Sequence, residues 1–277
     1  MRGQHVAPSM NLFELTGEVS VVIGGSGVLG GAIADGFGAA GARVAVVGRN
    51  AQRGESRAAA IRTGGGEGRF YAADALRRES LEEARARIES ELGPATILLN
   101  AAGGIDARAA VTPDNPVENV ALDAWARNFD LNLVGGALLP CQVFGPGMVG
   151  RKQGSIINIA SVAAHVALSR VMAYSAAKAA VINLTQFLSR EWARHGVRVN
   201  SITPGFFPAE QNRRALFEED GSLTPRGQVA IGHTPMARFG EPRELMGAAV
   251  FLASSKASSF VTGTDIRVDG GFLSFAL

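Results

Sequence analysis

Short runs of apolar residues alternate along this chain with longer segments in which apolar residues recur at helical spacing. The short runs predict buried strands, and the longer periodic segments predict amphipathic helices. The predicted strands span residues 19–23, 43–47, 69–72, 96–99, 155–159, 198–202 and 264–268. The predicted helices span residues 30–40, 51–62, 78–92, 122–149, 173–195 and 242–252.

The regular alternation of strands and helices predicts the fold class. Successive parallel strands need crossover connections, which helices usually form. The order therefore predicts an α/β protein with a doubly wound parallel sheet of the Rossmann type and helices on both faces. Because the sequence holds no internal repeat and no Pro/Ser-rich linker, we expect a single domain over residues 11–277, preceded by a disordered tail at residues 1–10.

Residues 206–234 interrupt this alternation between the sixth predicted strand and the last predicted helix. A connection of this length is typical of a binding loop or a lid. We therefore expect this stretch, called the 206–234 segment below, to cover a substrate.

Composition and charge narrow the class of protein. The chain of 277 residues is 47% hydrophobic and 19% charged, which excludes a disordered protein. Its 27 basic and 25 acidic residues are dispersed, so we expect no nucleic-acid partner. The single cysteine, Cys141, excludes an internal disulfide and fits a cytoplasmic location. The four histidines are scattered, which predicts no metal site, and no run nears about 18 apolar residues, which predicts no membrane span.

The first predicted strand runs into a glycine-rich turn that opens the first predicted helix. Glycines there suit a tight turn, a close approach of the backbone to a pyrophosphate and tight packing of the helix on the strand. The helix N-terminus adds free N–H groups and a positive dipole end. The junction therefore predicts a dinucleotide site. Its predicted cofactor-binding residues are Gly24, Ser26, Gly27, Leu29 and Gly30.

The end of the second predicted strand indicates which dinucleotide is bound. An acidic residue at this position would bind the ribose 2′-hydroxyl of NAD, but the sequence there is Gly48-Arg49. The Arg49 guanidinium can pair with a 2′-phosphate; the alternative is that it is a solvated loop cation. We therefore expect NADP(H) to be favoured as cofactor and NAD(H) to be usable.

Four polar residues predict proton-transfer chemistry. Tyr174 and Lys178 are four residues apart in a predicted helix and therefore share one face. A neighbouring ammonium lowers the pKa of a phenol, and such a phenol can exchange a proton with a substrate oxygen. Ser161 follows the fifth predicted strand, at the sheet edge where ligands bind. Asn132 lies inside a predicted helix, where a side-chain amide competes with the backbone for hydrogen bonds. We therefore consider it a further candidate for the catalytic site.

These residues resemble the short-chain dehydrogenase/reductase family over nearly the whole chain after residue 10. The resemblance implies that Tyr174 is the general acid/base and that Lys178 lowers its pKa and holds the nicotinamide ribose. Ser161 would polarise the substrate carbonyl, and Asn132 would support a proton-relay water. The resemblance also implies a homotetramer. Further motifs occur in the family's order and imply cofactor contacts at Asp74, Asn100, Ala101, Ala102, Pro204 and Gly205.

The 206–234 segment resembles that of a subgroup that interconverts D-mannonate and D-fructuronate, whose close neighbours are gluconate 5-dehydrogenases. An aldonate needs a cation for its carboxylate and hydrogen-bonding groups for its hydroxyls. Gln211 and Arg213 offer both, and with Ser161 and Tyr174 they form the predicted substrate site; the alternative is that Arg213 lies on a solvated helix face. The predicted function is NAD(P)-dependent interconversion of a sugar acid's secondary alcohol and ketone. The alternatives are gluconate 5-dehydrogenase, 3-oxoacyl-carrier-protein reductase and a nucleotide-sensing protein without catalysis.

Overall fold

The computed structural model describes residues 11–274, apart from the side chain of Gln211. The predicted tail at residues 1–10 lies outside the described residues. Seven parallel strands form one sheet in the order β3-β2-β1-β4-β5-β6-β7, which confirms the predicted doubly wound α/β fold. The strands are β1 Val19–Ile23, β2 Arg43–Gly48, β3 Glu67–Ala72, β4 Ile97–Asn100, β5 Gly154–Ile159, β6 Val197–Pro204 and β7 Asp265–Val268.

Helices connect the strands, and every helix predicted from the sequence is found with its ends moved by a few residues. The helices are α1 Val28–Ala39, α2 Ala51–Thr63, α3 Arg78–Glu91, α4 Leu122–Phe129, α5 Leu139–Arg151, α6 Met172–Trp192, α7 Glu210–Leu216, α8 Pro225–Gly232, α9 Met246–Ala253 and α10 Ser255–Ser258. Short 3₁₀ turns span Ala107–Ala109, Val117–Asn119, Val162–Ala164, Ala193–His195, Pro242–Leu245 and Phe272–Ser274.

The sheet separates two apolar cores because successive strand residues point to opposite faces. Val21 of β1 belongs to the core built with Leu81 of α3 and Phe144 of α5. The next residue, Val22, belongs to the core built with Phe37 of α1 and Ala249 of α9. Covering both faces leaves the edge at the carboxyl ends of the strands as the place for a ligand.

The predicted helix 122–149 is one continuous helix, Leu122–Arg151. Its middle part, Asp130–Leu138, is π-helical. Length and composition alone would let the helix cross a membrane, but half of its most apolar window is buried inside the protein. Cys141 and Met148 are buried in the core. The apolar residues of this helix therefore stabilise the subunit itself.

The 206–234 segment contains two helices, α7 and α8, that the apolar pattern does not predict. Hydrogen bonds at their first turns define them instead. The Asn212 Oδ1 accepts a hydrogen bond from the Ala209 N–H at 2.7 Å. At the start of α8, Thr224 Oγ1 accepts one from the Gly227 N–H at 3.0 Å. Capping of this kind stabilises short helices that have little apolar surface to bury.

Candidate active site

A cleft of about 310 Å³ opens at the carboxyl ends of β1, β2 and β4. In a doubly wound sheet, the chain adds strands first on one side of the first strand and then on its other side. Ligands bind in the crevice beside the first strand, where this direction changes. Seven of the predicted cofactor residues line this cleft: Gly24, Ser26, Gly27, Arg49, Asp74, Ala101 and Ala102.

Close backbone packing explains the glycines of the turn. Gly24 has a φ of +81°, and a Cβ there would lie 2.7 Å from the Ala102 backbone nitrogen. A Cβ on Gly30 would lie 2.6 Å from the Gly24 carbonyl oxygen, while Leu29 in the first turn of α1 packs against the core. Gly27, the N-cap of α1, lines the cleft, so the N-terminus of the helix opens onto it. A cradle of backbone at a helix N-terminus fits the pyrophosphate of a dinucleotide.

Three other predicted cofactor residues lie in the frame around the cleft. Asn100 is buried, and its Nδ2 donates a hydrogen bond to Asn158 Oδ1 at 2.8 Å, which joins β4 to β5. Pro204 is the last residue of β6. A Cβ on Gly205 would lie 2.7 Å from the Asp269 Cα, so the chain leaving β6 packs tightly against the chain leaving β7.

The rim of the cleft at the end of β2 is basic. Arg49 lines it, and so does Arg53 from the first turn of α2. The Arg53 Nη2 lies 2.6 Å from the Glu210 Oε2, which ties α2 to the first residue of α7. Sequence analysis missed Arg53, although its position four residues after Arg49 could have indicated it.

Helix α6 and the end of β5 bring Ser161, Tyr174 and Lys178 together. The side chain of Lys178 is buried, its Nζ donates a hydrogen bond to the Ile159 carbonyl at 2.8 Å, and it lies 5.7 Å from the centroid of the Tyr174 ring. Ser161 Oγ accepts a hydrogen bond from the Ala163 N–H at 3.2 Å and is hydrogen-bonded to the Tyr174 phenol. The shared face predicted from the sequence is therefore present.

The pKa shift of Tyr174 differs from the expectation. Burial raises the pKa of Tyr174, and the hydrogen bond with Ser161 opposes that shift only in part. Burial also lowers the pKa of Lys178 to about 8. The prediction that Lys178 lowers the pKa of Tyr174 is wrong for this structure, because both groups are desolvated and burial favours the neutral form of each.

Asn132 lies in the π-helical part of the long helix. Its Nδ2 donates hydrogen bonds to the carbonyls of Gly104 at 2.7 Å and Asn128 at 2.9 Å. A Cβ on Gly103 would lie 2.7 Å from the Asn132 Oδ1 and 3.6 Å from the Lys178 Nζ. Since Gly103 also lines the dinucleotide cleft, it places Asn132 and Lys178 at the inner end of that cleft. π-helical turns are frequent at functional sites.

The predicted substrate residues Gln211 and Arg213 lie on α7. The Arg213 guanidinium lies over the ring of Phe217, the residue after α7, 5.1 Å from the centroid, and Arg213 is exposed. The side chain of Gln211 lies outside the described residues.

In the loop after Ser161, His165 Nε2 lies 3.1 Å from Asp265 Oδ2, so this histidine faces β7. Among residues 11–274, no three His, Cys, Asp or Glu side chains are placed to hold a metal ion.

Known proteins share this architecture over most of their length. A D-threitol dehydrogenase of Mycolicibacterium smegmatis is 38% identical, over 94% of this chain and 94% of its own. A candidate D-mannonate oxidoreductase from Haemophilus influenza, solved with bound NAD, is 34% identical, covers 95% of this chain and 97% of its own, and superposes with a TM-score of 0.89. A gluconate 5-dehydrogenase from Burkholderia cenocepacia, solved with NADP and tartrate, is 31% identical over 96% and 98% of the two chains, with a TM-score of 0.86.

Residues 26–273 match the family described as enoyl-(acyl carrier protein) reductase, a branch of the short-chain dehydrogenases and reductases. The match spans the glycine turn from Ser26, the paired Tyr174 and Lys178, and the last strand. Together with the relatives above and the dinucleotide cleft, it identifies the class of protein. The chain belongs to the short-chain dehydrogenase/reductase family and is an NAD(P)-dependent oxidoreductase.

Proposed function

We propose that this protein interconverts the secondary alcohol of a sugar acid and the corresponding ketone in the cytoplasm, with D-mannonate and D-fructuronate as the pair. The observation that carries the proposal is the group of Ser161, Tyr174 and buried Lys178 at the inner end of the dinucleotide cleft. The similarity to the Haemophilus protein described as a D-mannonate oxidoreductase supports this choice of substrate.

The chemistry needs one proton and one hydride. The glycine turn would hold a nicotinamide cofactor, which would supply or take up the hydride. Tyr174 donates its phenolic proton to the ketone oxygen during reduction and removes the hydroxyl proton during oxidation. Because burial raises its pKa, the phenol is protonated at neutral pH, which is the form that reduction requires. The Ser161 hydroxyl donates a second hydrogen bond to the same substrate oxygen and stabilises the developing charge.

NADP(H) is the proposed preferred cofactor, with NAD(H) usable. Two cations, Arg49 and Arg53, line the rim where the adenosine ribose of a dinucleotide would lie, and Gly48 supplies no carboxylate to repel a 2′-phosphate. Arg53 pairs with Glu210, so Arg49 carries most of the proposed preference. Solved relatives with NAD and with NADP are both known.

A second candidate reaction is the oxidation of D-gluconate at carbon 5. It is favoured by the similarity to the gluconate 5-dehydrogenase from Burkholderia cenocepacia, which was solved with the hydroxy acid tartrate. Both candidates share an acyclic polyhydroxy acid and a secondary alcohol, so they require the same acid/base group.

A substrate panel separates these candidates. Oxidation of D-mannonate, D-gluconate and D-threitol, and reduction of D-fructuronate and 5-keto-D-gluconate, are followed by the absorbance of the reduced nicotinamide with each cofactor. We expect the highest kcat/KM for the mannonate–fructuronate pair. A higher value for gluconate selects the second candidate, and turnover of D-threitol alone rejects both.

A further inference from the structure

An arginine of the 206–234 segment contacts the loop that joins Ser161 to Tyr174, next to a second arginine that belongs to this loop. Arg226, the second residue of α8, lies with its Nη1 3.4 Å from the Ser169 carbonyl oxygen and 3.3 Å from the Ser169 Oγ. Ser169 and its neighbour Arg170 belong to the loop that joins Ser161 to Tyr174. Helix α8 therefore docks directly on the loop that leads from Ser161 to the helix carrying Tyr174.

The two guanidiniums are not neutralised by the protein. Burial lowers the pKa of Arg226, and the positive charge of Arg170 lowers it further. Within residues 11–274, neither arginine forms an ion pair with a carboxylate, whereas Arg108 and Arg238 do. Arg226 is half-buried and Arg170 is exposed. Their like charges repel each other, and an anion bound between them would relieve that repulsion.

The backbone at Arg170 is held in an unusual conformation. Its φ is +73°, in the left-handed region that non-glycine residues rarely adopt. A hydrogen bond from the Val111 N–H to the Arg170 carbonyl, at 3.1 Å, fixes this turn against the 3₁₀ region before α4. Strained residues of this kind persist where the surroundings hold them, and they cluster at ligand sites.

We infer that Arg170 and Arg226 together bind the carboxylate of the sugar acid and so select acids over neutral polyols. The inference rests on the proposed function. Guanidinium groups suit carboxylates because they offer several N–H donors in a planar fork. The pair lies on the loop between Ser161 and Tyr174 and on the covering segment, so an anion bound there would hold the far end of a substrate whose alcohol reaches Tyr174. Arg213, also predicted for this role, lies over the Phe217 ring, and its role stays a prediction.

The test compares an acid with a neutral alcohol in the same variants. Arg226→Gln removes one cation, and Arg170→Gly removes the other while favouring its positive φ. Each variant should lower kcat/KM for the sugar acid by about tenfold to a hundredfold, mainly through KM, as expected for lost hydrogen bonds to a charged group. The kcat/KM for D-threitol and the KM for NADPH should stay within about twofold. The matched control, Arg214→Gln, replaces an exposed arginine of α7 and should leave all these values unchanged.

The outcomes separate this inference from the proposed function. If the wild type turns over sugar acids and both variants keep that activity, or lose acid and neutral activity equally, the carboxylate site is refuted while the proposed function stands. If the wild type turns over no sugar acid, the proposed function fails. In that case, calorimetric titration of D-gluconate into the wild-type enzyme with bound NADP decides the site. If the wild type binds D-gluconate and Arg170→Gly abolishes this binding, the carboxylate site is upheld. If both proteins bind D-gluconate equally, or if the wild type does not bind it, the site is overturned.

Discussion

At the scale of single residues, the active site places a phenol and an ammonium side by side in surroundings that favour the neutral form of both. Tyr174→Phe keeps the ring and removes the transferable proton. Because general acid–base catalysis contributes about 10²–10⁴-fold, turnover should fall by that factor or more, while the affinity for NADPH, measured by fluorescence titration, should not change. Turnover near that of the wild type would contradict the role of Tyr174.

The buried Lys178 should make stability depend on pH. Folded Lys178 loses its proton above a pKa of about 8, whereas in the unfolded chain it keeps the proton up to about 10.5. The unfolded state therefore binds more protons in this window, so this group raises the free energy of unfolding as the pH rises from about 8 to 10.5. Below pH 8 its unfavourable contribution is constant.

Lys178→Met removes this titration. Urea unfolding of both proteins over the pH range should show the wild type gaining stability relative to the variant above pH 8. Comparison with the variant cancels the titration of Tyr174 and of the surface groups. A difference between the two proteins that does not vary with pH would show that Lys178 titrates normally.

We expect the cofactor preference to depend on Gly48 at the end of β2 as well as on Arg49. The native enzyme should prefer NADPH, by about tenfold or more in kcat/KM, because a charge-assisted hydrogen bond to the 2′-phosphate contributes about 1.5–3 kcal/mol. Gly48→Asp should reverse the preference, since its carboxylate repels the phosphate and accepts a bond from the free hydroxyl. Kinetics with NADH and NADPH measure both.

A matched variant isolates the charge in this experiment. A Cβ at position 48 would lie 2.6 Å from the Ser26 Oγ, so Gly48→Asp also forces this hydroxyl to turn aside. Gly48→Ala carries the same Cβ without the carboxylate and should keep the native preference. A native preference for NADH of tenfold or more would refute the role given to Arg49.

At the scale of elements, the junction of β1 and α1 should tolerate no side chain at Gly24. Gly24→Ala combines a positive φ with a clash against the Ala102 backbone, so the turn must shift. Because the backbone of this turn would bind the pyrophosphate, the KM for the cofactor should rise at least about tenfold. Gly17 has a φ of +88° but open space around it. Gly17→Ala should therefore carry only the strain and leave the cofactor KM unchanged.

The sequence predicted the elements that large apolar faces define and missed those that local hydrogen bonds define. All seven strands were found. The five central strands bury nearly every residue, whereas the edge strands β3 and β7 are only partly buried. Helices α7 and α8 were missed, since side-chain caps such as Thr224 stabilise them. Spacing correctly joined Tyr174 to Lys178 on one face. It could not give the direction of the Tyr174 pKa shift or the contact of Arg213 with Phe217, because these depend on burial and on side-chain packing in the folded protein.

At the scale of the whole molecule, several large apolar side chains are exposed, among them residues on α4, on α6 and just before β7. Leu122 at the start of α4 is 84% exposed, and Phe187 on α6 is 58% exposed. Phe260 is fully exposed and precedes β7, which lies at one end of the sheet and has a free edge. Large apolar residues on a surface mark contact sites, and a tetramer with dihedral symmetry needs at least two different self-complementary interfaces. The α4/α6 surface and the β7 edge can provide them.

We therefore expect a homotetramer, with a mass by light scattering of about four times the 28.8 kDa of one chain. Phe187→Asp should disrupt one interface and Phe260→Asp the other, because each would bury an unpaired charge between subunits. Each single variant should then give dimers, and the double variant should give monomers with the far-ultraviolet circular dichroism of the wild type. Val229→Asp, at an exposed apolar position on α8 rather than on α4, α6 or β7, is the control and should remain tetrameric. A monomeric wild type at micromolar concentration would refute the assembly, and tetramers that persist in both single variants would refute these two surfaces.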